Sequence, residues 1–255
     1  MKVSILGSSS SGNSTFLSVN NKKILIDVGF SMKKLNDKLS QINESLENIG
    51  YIFITHEHSD HIKSLGSILR KYDVNVYIHR KSFDAIKDKI GKYDSNKINL
   101  LDNREIFLDD LSIKNFDLTH DASHCLGYSF EINDKKFTYI TDTGYVSKTM
   151  KLNCLNSDIL AIESNYDLDM LMNGSYPWDI KNRIKSKFGH LSNRDTLNLV
   201  KSIYEYDSCK LKKVFLMHLS EENNLEALAL HNIKSNFLDI DVEVSGEEVT
   251  SIFEF

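Results

Sequence analysis

Thr55-His56-Glu57-His58-Ser59-Asp60-His61 packs three imidazoles and two carboxylates into seven residues. Neutral imidazole and carboxylate are the ligands that divalent zinc, manganese and iron take from proteins. Packing and solubility do not account for such a density, so the stretch reads as a metal site. It is not an H-E-x-x-H helix, because Asp60 stands where the second histidine would be needed. The preceding Tyr51-Ile52-Phe53-Ile54 is β-branched and aromatic and reads as a buried strand. His56 and His58 lie two apart, so they share one side of an extended chain. Ser59 and Asp60 are N-cap types, and Ile62, Leu65, Ile68 and Leu69 follow at helical spacing. A helix is expected over 60–71. A strand end supplying one pair of ligands and a helix start supplying another would frame two adjacent metals.

Working outward, short apolar runs at 3–6, 15–19 and 24–27 are separated by the polar turn Gly7–Asn13 and by Asn20-Asn21. Helical spacing is expected at 31–41 and 81–90, with a strand at 74–78. Strands at 105–108, 111–118, 127–132 and 136–140 make a β-rich middle, with Asn133-Asp134 as a hairpin turn. The last part alternates: strand 158–162, helices 179–187 and 193–205, strand 213–217, helix 224–236, strand 241–244 and a final strand near 250–254. Antiparallel strands interspersed with helices suggest an α+β class, two sheets face to face with helices outside. No internal repeat is visible.

The 255 residues are 41% hydrophobic and 26% charged, with a net charge of −5. This acidity argues against a chain coated in nucleic acid, though not against a local basic groove. The N-terminus is too poor in apolar residues for a signal peptide, and no stretch approaches the ~18 apolar residues of a membrane span. Cys125, Cys154 and Cys209 are odd in number and far apart, which fits a reducing cytoplasm better than a disulfide framework.

Four more polar residues end apolar runs: Asp27, His120, Asp142 and His218. Polar residues at strand ends along one sheet edge can converge on a site. Taken in order, Asp27, His56-x-His58-x-Asp60-His61, His120, Asp142 and His218 resemble the five motifs of the metallo-β-lactamase superfamily, over nearly the whole chain. Gly7–Ser14, His120-Asp121-Ala122, Thr141–Val146, Glu163-Ser164-Asn165, Gly189–Asn193 and His218–Asn224 resemble its YycJ/WalJ (VicX) branch. One departure is Cys125, where that branch tends to carry Pro; a loop change is expected there, with the ligands intact.

The resemblance implies one αββα four-layer sandwich domain over 1–255, with no inserted clamp domain. It implies a cytoplasmic, metal-dependent 5′-to-3′ exonuclease on double-stranded DNA, linked to DNA repair. One divalent ion (Zn²⁺ or Mn²⁺, with Fe²⁺ admitted) would be held by His56, His58 and His120. A second would be held by Asp60, His61 and His218, with Asp142 bridging and Asp27 orienting a ligand by hydrogen bonding. Such a pair activates a water and stabilises phosphoryl charge, and Asp60 and Asp142 can accept the water's proton. The loop Gly189-His190-Leu191-Ser192-Asn193 resembles the His-Ser-Thr loop of ribonuclease Z, and Glu163 the glutamate beside it. His190 is therefore expected as general acid and Glu163 as its orienting partner.

Ser10 and Asn13 in the polar loop, and Ser192 and Asn193 at a helix start, are candidate phosphate contacts. Lys181, Arg183, Lys185, Lys187 and Arg194 could steer a phosphate backbone or form an ordinary solvated face. His79, His124 and His231 read as surface or satisfied residues, and Tyr145 as packing.

The fold alone does not settle function. A diiron oxygen reductase would carry Glu where His58 stands, and a clamp-bearing ribonuclease needs a longer Asp142–His218 interval. A small-molecule hydrolase or cyclic phosphodiesterase is the alternative, favoured by the net acidity. A non-enzymatic scaffold is disfavoured because every expected ligand position is filled.

Overall fold

In the computed structural model, which describes residues 1–102, 105–206 and 209–255, the chain forms two compact units, each built on one seven-stranded mixed sheet. The first takes Met1–Asn103, Ala122–His124 and Ser245–Phe255. Its strands are β1 (Lys2–Ser9), β2 (Gly12–Val19), β3 (Lys22–Ile26), β4 (Tyr51–Phe53), β5 (Asn75–Ile78), β6 (Ile98–Leu100) and the last strand, β14 (Phe253–Glu254). The order is β14-β1-β2-β3-β4-β5-β6: antiparallel as far as β3, parallel from there. Helices α1 (Met32–Ser40), α3 (Leu65–Lys71) and α4 (Arg80–Ile86) bury Leu35, Leu39, Leu65, Ile68 and Ile86 in one cluster with Leu25, Ile52, Ile54, Val76 and Ile78 of the strands and their ends. Each such side chain contributes about 1.5–3 kcal/mol of burial.

The second unit takes Arg104–Asp121 and Cys125–Val244. Its strands are β7 (Glu105–Leu108), β8 (Leu111–Leu118), β9 (Cys125–Ile132), β10 (Lys135–Ile140), β11 (Ile159–Glu163), β12 (Lys213–Met217) and β13 (Asp241–Val244), adjacent in that order. They too change from antiparallel to parallel part-way, after β10. Helices α5 (Lys148–Cys154), α8 (Asn193–Tyr204) and α9 (Glu226–Lys234) bury Met150, Leu199, Val200, Ile203 and Ile233 against Leu160, Ile162, Val214 and Leu216. α6 (Leu168–Asn173) and α7 (Trp178–Lys185) connect β11 to α8. Asn133 and Asp134 turn β9 into β10 with φ of 47° and 62°, the double positive φ of a type I′ hairpin.

Three features depart from expectation. The helix expected over 60–71 is broken into α2 (Ser59–Ile62) and α3. Ser64 lies between them, and both its N–H and its hydroxyl donate to the Val28 carbonyl at 3.1 Å, so a tertiary bond replaces the helical one. The cap of α2 is the backbone of His58, whose carbonyl accepts from His61 and Ile62. β6, α5 and α6 were unexpected: each is short, and they take their stability from pairing or burial rather than periodicity. Cys125 is a strand residue rather than a loop residue, paired with Leu118, and its thiol donates to the Asp142 carbonyl at 3.6 Å.

Candidate metal centre

In the first unit, β3 and β4 are parallel neighbours in register, Ile26 opposite Phe53, so both strands end at one level. Carboxyl ends of strands near a change of sheet order are where open sheets bind ligands. Asp27 follows β3 in a left-handed conformation, φ 60°, which Asp tolerates better than most residues. That turn aims its carboxylate at the stretch after β4. Oδ1 accepts from Thr55 N and Oδ2 from Thr55 Oγ1, both at 2.8 Å, while His61 Nδ1 lies 2.8 Å from Oδ2. All three residues are buried. Burial raises the Asp27 carboxyl above its ordinary value, and His61 and Thr55 pull the other way.

Because Thr55 Oγ1 donates to Asp27, it accepts from His56 Nδ1 at 3.0 Å. The ring centroid of His56 lies 4.5 Å from that of His58 and 4.1 Å from that of His61. With the proton of His61 on Nδ1, its Nε2 and Asp60 Oδ2 are two acceptors 3.3 Å apart, an arrangement that a bound cation relieves. The Asn13 amide donates to Ser9 O at 3.0 Å and Asp60 Oδ2 at 3.2 Å, and lies 3.2 Å from His61 Nε2. Ser10 is exposed in the β1–β2 turn. Gly29 permits the close approach of α2: a Cβ there would lie 1.6 Å from the Asp60 carbonyl oxygen.

In the second unit, Asp142 follows β10, Glu163 ends β11 and His218 follows β12, three parallel neighbours in register. Asp142 and His218 again take positive φ, 54° each. The buried Glu163 carboxylate is the hub. Oε1 accepts from His190 Nδ1 at 2.6 Å and His218 Nδ1 at 3.1 Å, and Oε2 from Thr143 N at 3.1 Å and Leu191 N at 3.3 Å. Asp142 Oδ1 lies 3.5 Å from His218 Nδ1 and 3.7 Å from His190 Nδ1. Asp142, Glu163, His190 and His218 each offer a ligand atom within 4.8 Å of the others. His120 directs Nδ1 to Gly189 O at 3.2 Å, with Nε2 3.1 Å from Asp121 Oδ1.

The donor set fits divalent ions. In His56, His61, His120 and His218, Nδ1 is tied to a hydroxyl, a carboxylate or a carbonyl, which leaves Nε2 as the lone pair. Metal-ligating histidines are held this way.

Charges differ around the hub. Burial pushes the Glu163 carboxyl up, but His190 and His218 more than offset this and hold it below its ordinary value. Burial lowers the His190 imidazole, yet Glu163 and Asp142 leave it raised to about 9. Burial dominates at His120, whose imidazole falls below its ordinary value.

His190 is reached through a tight loop after α7. Its N–H bonds to Ile184 O at 2.9 Å, and Gly189 is required beside it, since a Cβ would lie 2.1 Å from the same oxygen. Ser192 caps α8 in a reciprocal capping box with Asp195. Asn193 is buried, exchanging hydrogen bonds with Asn224 and accepting from Ser164.

Several members of the basic stretch have partners within the chain. Lys181 is buried and donates to Met172 O and Gly174 O, Arg183 pairs with Asp121 at 2.6 Å, and the Lys185 and Lys187 amines lie over Trp178 and Phe188. Tyr145 is 45% exposed rather than packed. His79 and His124 stack at 3.6 Å. Sequence reading gave no role to Thr55, which ties Asp27 to His56, and missed that Glu163 holds His218 as well as His190. The only signal for either was adjacency to a motif.

The model of the Beta-lactamase superfamily domain matches residues 22–219. The chain belongs to this family. Exodeoxyribonuclease WalJ of Streptococcus pneumoniae is 39% identical over 247 residues, 95% of this chain and 90% of that protein. Exodeoxyribonuclease YycJ of Bacillus anthracis is 37% identical over 227 residues, 89% and 85% of the two chains. The metallo-β-lactamase fold protein YhfI of Bacillus subtilis matches at a TM-score of 0.74, with 14% identity, over 99% of this chain and 98% of its own. Zn²⁺-bound PqqB of Methylobacterium extorquens also matches at 0.74, with 15% identity, over 100% of both chains. The α+β, αββα fold class is thereby that of the metallo-β-lactamases, and this family member is a metal-dependent hydrolase. No helix among the described residues is long and apolar enough to cross a membrane.

Proposed function

We propose that this family member is a nuclease that hydrolyses phosphodiesters of double-stranded DNA from the 5′ end and works in the cytoplasm. The observation that carries the reading is the Glu163–His190 pair: a buried carboxylate holding, at 2.6 Å, an imidazole raised to about 9. A thiolate leaves a thioester without a proton, whereas a departing 3′-alkoxide needs one, so a held imidazolium suits a phosphodiester. The identity to two exodeoxyribonucleases over most of the chain supports the same substrate class.

The motif order assigns His56, His58, Asp60, His61, His120, Asp142 and His218 as ligands of two divalent ions, Zn²⁺ or Mn²⁺, and Asp27 as the residue that orients His61. When bound, these ions supply an activated hydroxide and stabilise the charge of the phosphoryl transition state. The protein's own groups do the rest. Asp60 takes the proton of the attacking water. His190, charged and held through Nδ1, donates from Nε2 to the departing 3′-oxygen, and Glu163 fixes that orientation and stabilises the imidazolium. The Asn13 side-chain amide, which donates to Asp60 Oδ2 at 3.2 Å, keeps Asp60 aimed.

Duplexes labelled at the 5′ or the 3′ end test this, with Mn²⁺ or Zn²⁺ added in turn. Wild type should release labelled mononucleotides from the 5′ end, and Asp60→Ala should not. Release from the 3′ end would reverse the polarity. Cleavage of a cyclic phosphodiester or an ester with no action on DNA would replace the reading by the small-molecule alternative, which the net charge of −5 favours.

A further inference from the structure

The second unit carries a cavity of about 170 Å³ beside His190, lined by His120, Asp121, Ile180, Arg183, Ile184, Phe188 and Gly189. A single water needs roughly 10–15 Å³ of comparable free volume, so the cavity holds on the order of ten small groups, the size of one heteroaromatic ring system. Its chemistry points the same way. Ile180, Ile184 and the half-exposed Phe188 give it an apolar wall, and the Lys187 amine holds the Phe188 ring from 4.9 Å. The Arg183 guanidinium in the wall is oriented by its pairing with Asp121 at 2.6 Å. A planar guanidinium and an aromatic ring are surfaces on which a flat, uncharged ring stacks.

We propose that this cavity receives the base of the departing terminal nucleotide, with Phe188 as the stacking residue. The inference rests on the nuclease reading above, because the nucleotide whose 3′-oxygen takes the proton of His190 is the one that must lie beside it. A base in the cavity is unstacked from its neighbour, which costs least at a duplex end. The site therefore favours terminal over internal linkages, and it recognises a ring without reading its identity.

The test uses two duplexes, one normal and one with an abasic tetrahydrofuran residue at the 5′ terminus. They are cleaved by wild type, Phe188→Ala and Phe188→Trp with Mn²⁺. The expected result is about a tenfold loss of kcat/KM for wild type on the abasic end, the size of one base–aromatic contact. Phe188→Ala should lose as much on the normal end and nothing further on the abasic one. Phe188→Trp should restore discrimination, and all three should melt together because Phe188 is 47% exposed. Equal cleavage of both ends by wild type, or a Phe188→Ala loss that is the same on both, would overturn the base site while leaving the nuclease reading intact. No release from either duplex by wild type would overturn both.

Discussion

The Nδ1 atom of His61 lies 2.8 Å from Oδ2 of Asp27, in a pocket where both side chains are fully buried. The same carboxylate receives the Thr55 N–H and hydroxyl, so a single residue after β3 sets the tautomer of His61 and, through Thr55, of His56. Asp27→Asn keeps the shape and tolerates the left-handed backbone, yet turns one acceptor into a donor. Metal affinity should fall by about 10–100-fold, the usual cost of losing such a partner. Asp27→Ala should bind metal equally poorly and be less stable than Asp27→Asn by a further ~1 kcal/mol, because alanine at φ 60° is strained. Titration of Zn²⁺ with a competing chelator and thermal melts separate the two effects.

Glu163 serves two histidines, and its variants should show it. His190→Ala removes the proton donor alone; DNA cleavage should slow by about 10²–10⁴-fold with metal stoichiometry unchanged. Glu163→Gln should slow cleavage and also weaken metal binding, because His218 loses its hydrogen bond at 3.1 Å. Elemental analysis beside single-turnover rates checks both. Equal metal content in the two variants would show that Glu163 acts on His190 alone.

Gly189 should not tolerate a side chain. Alanine would press on the Ile184 and Arg183 carbonyls at 2.1 and 2.4 Å, both backbone atoms that cannot turn aside. Gly189→Ala should cost about 1–3 kcal/mol of stability and displace His190, slowing cleavage as well. Differential calorimetry and the cleavage assay give the pair of readings.

In the metal-free protein the His190–Glu163 pair makes stability depend on pH. His190 has a folded pKa near 9 against an ordinary 6.5, so its contribution is complete below about pH 6.5 and disappears as pH rises through 9. Glu163 is held below its ordinary 4.5, so its part is present above that pH and is lost as pH falls through the folded value. The melting-temperature gap between wild type and His190→Ala should be widest between these limits and narrow from pH 7 to pH 10. Asp142 and Asp121 add to the rise at His190.

Much of this was legible in the amino-acid order because the site residues follow strands. Apolar runs ending in Asp27, Asp142 and His218 announce both the strand and the polar residue at its mouth. The positive φ at these three positions was not legible: it comes from the sheet turning the chain back at its edge. Nor was the break at Ser64, which depends on a carbonyl 36 residues away. The partners of the basic stretch were hidden for the same reason. Lys181 and Arg183 look like free charges in sequence, but one is buried on carbonyls and the other is paired to Asp121. Short α5 and α6 carry too few turns for periodicity to register.

The most direct measurement replaces the leaving oxygen. In a duplex whose terminal linkage carries a bridging 3′-sulfur, the departing thiolate needs no proton. With His190 as proton donor, His190→Ala should be strongly impaired on the normal linkage and cleave the sulfur linkage within a few-fold of wild type. An equal deficit on both linkages would contradict proton donation by His190 and, with it, the catalytic role of the Glu163–His190 pair.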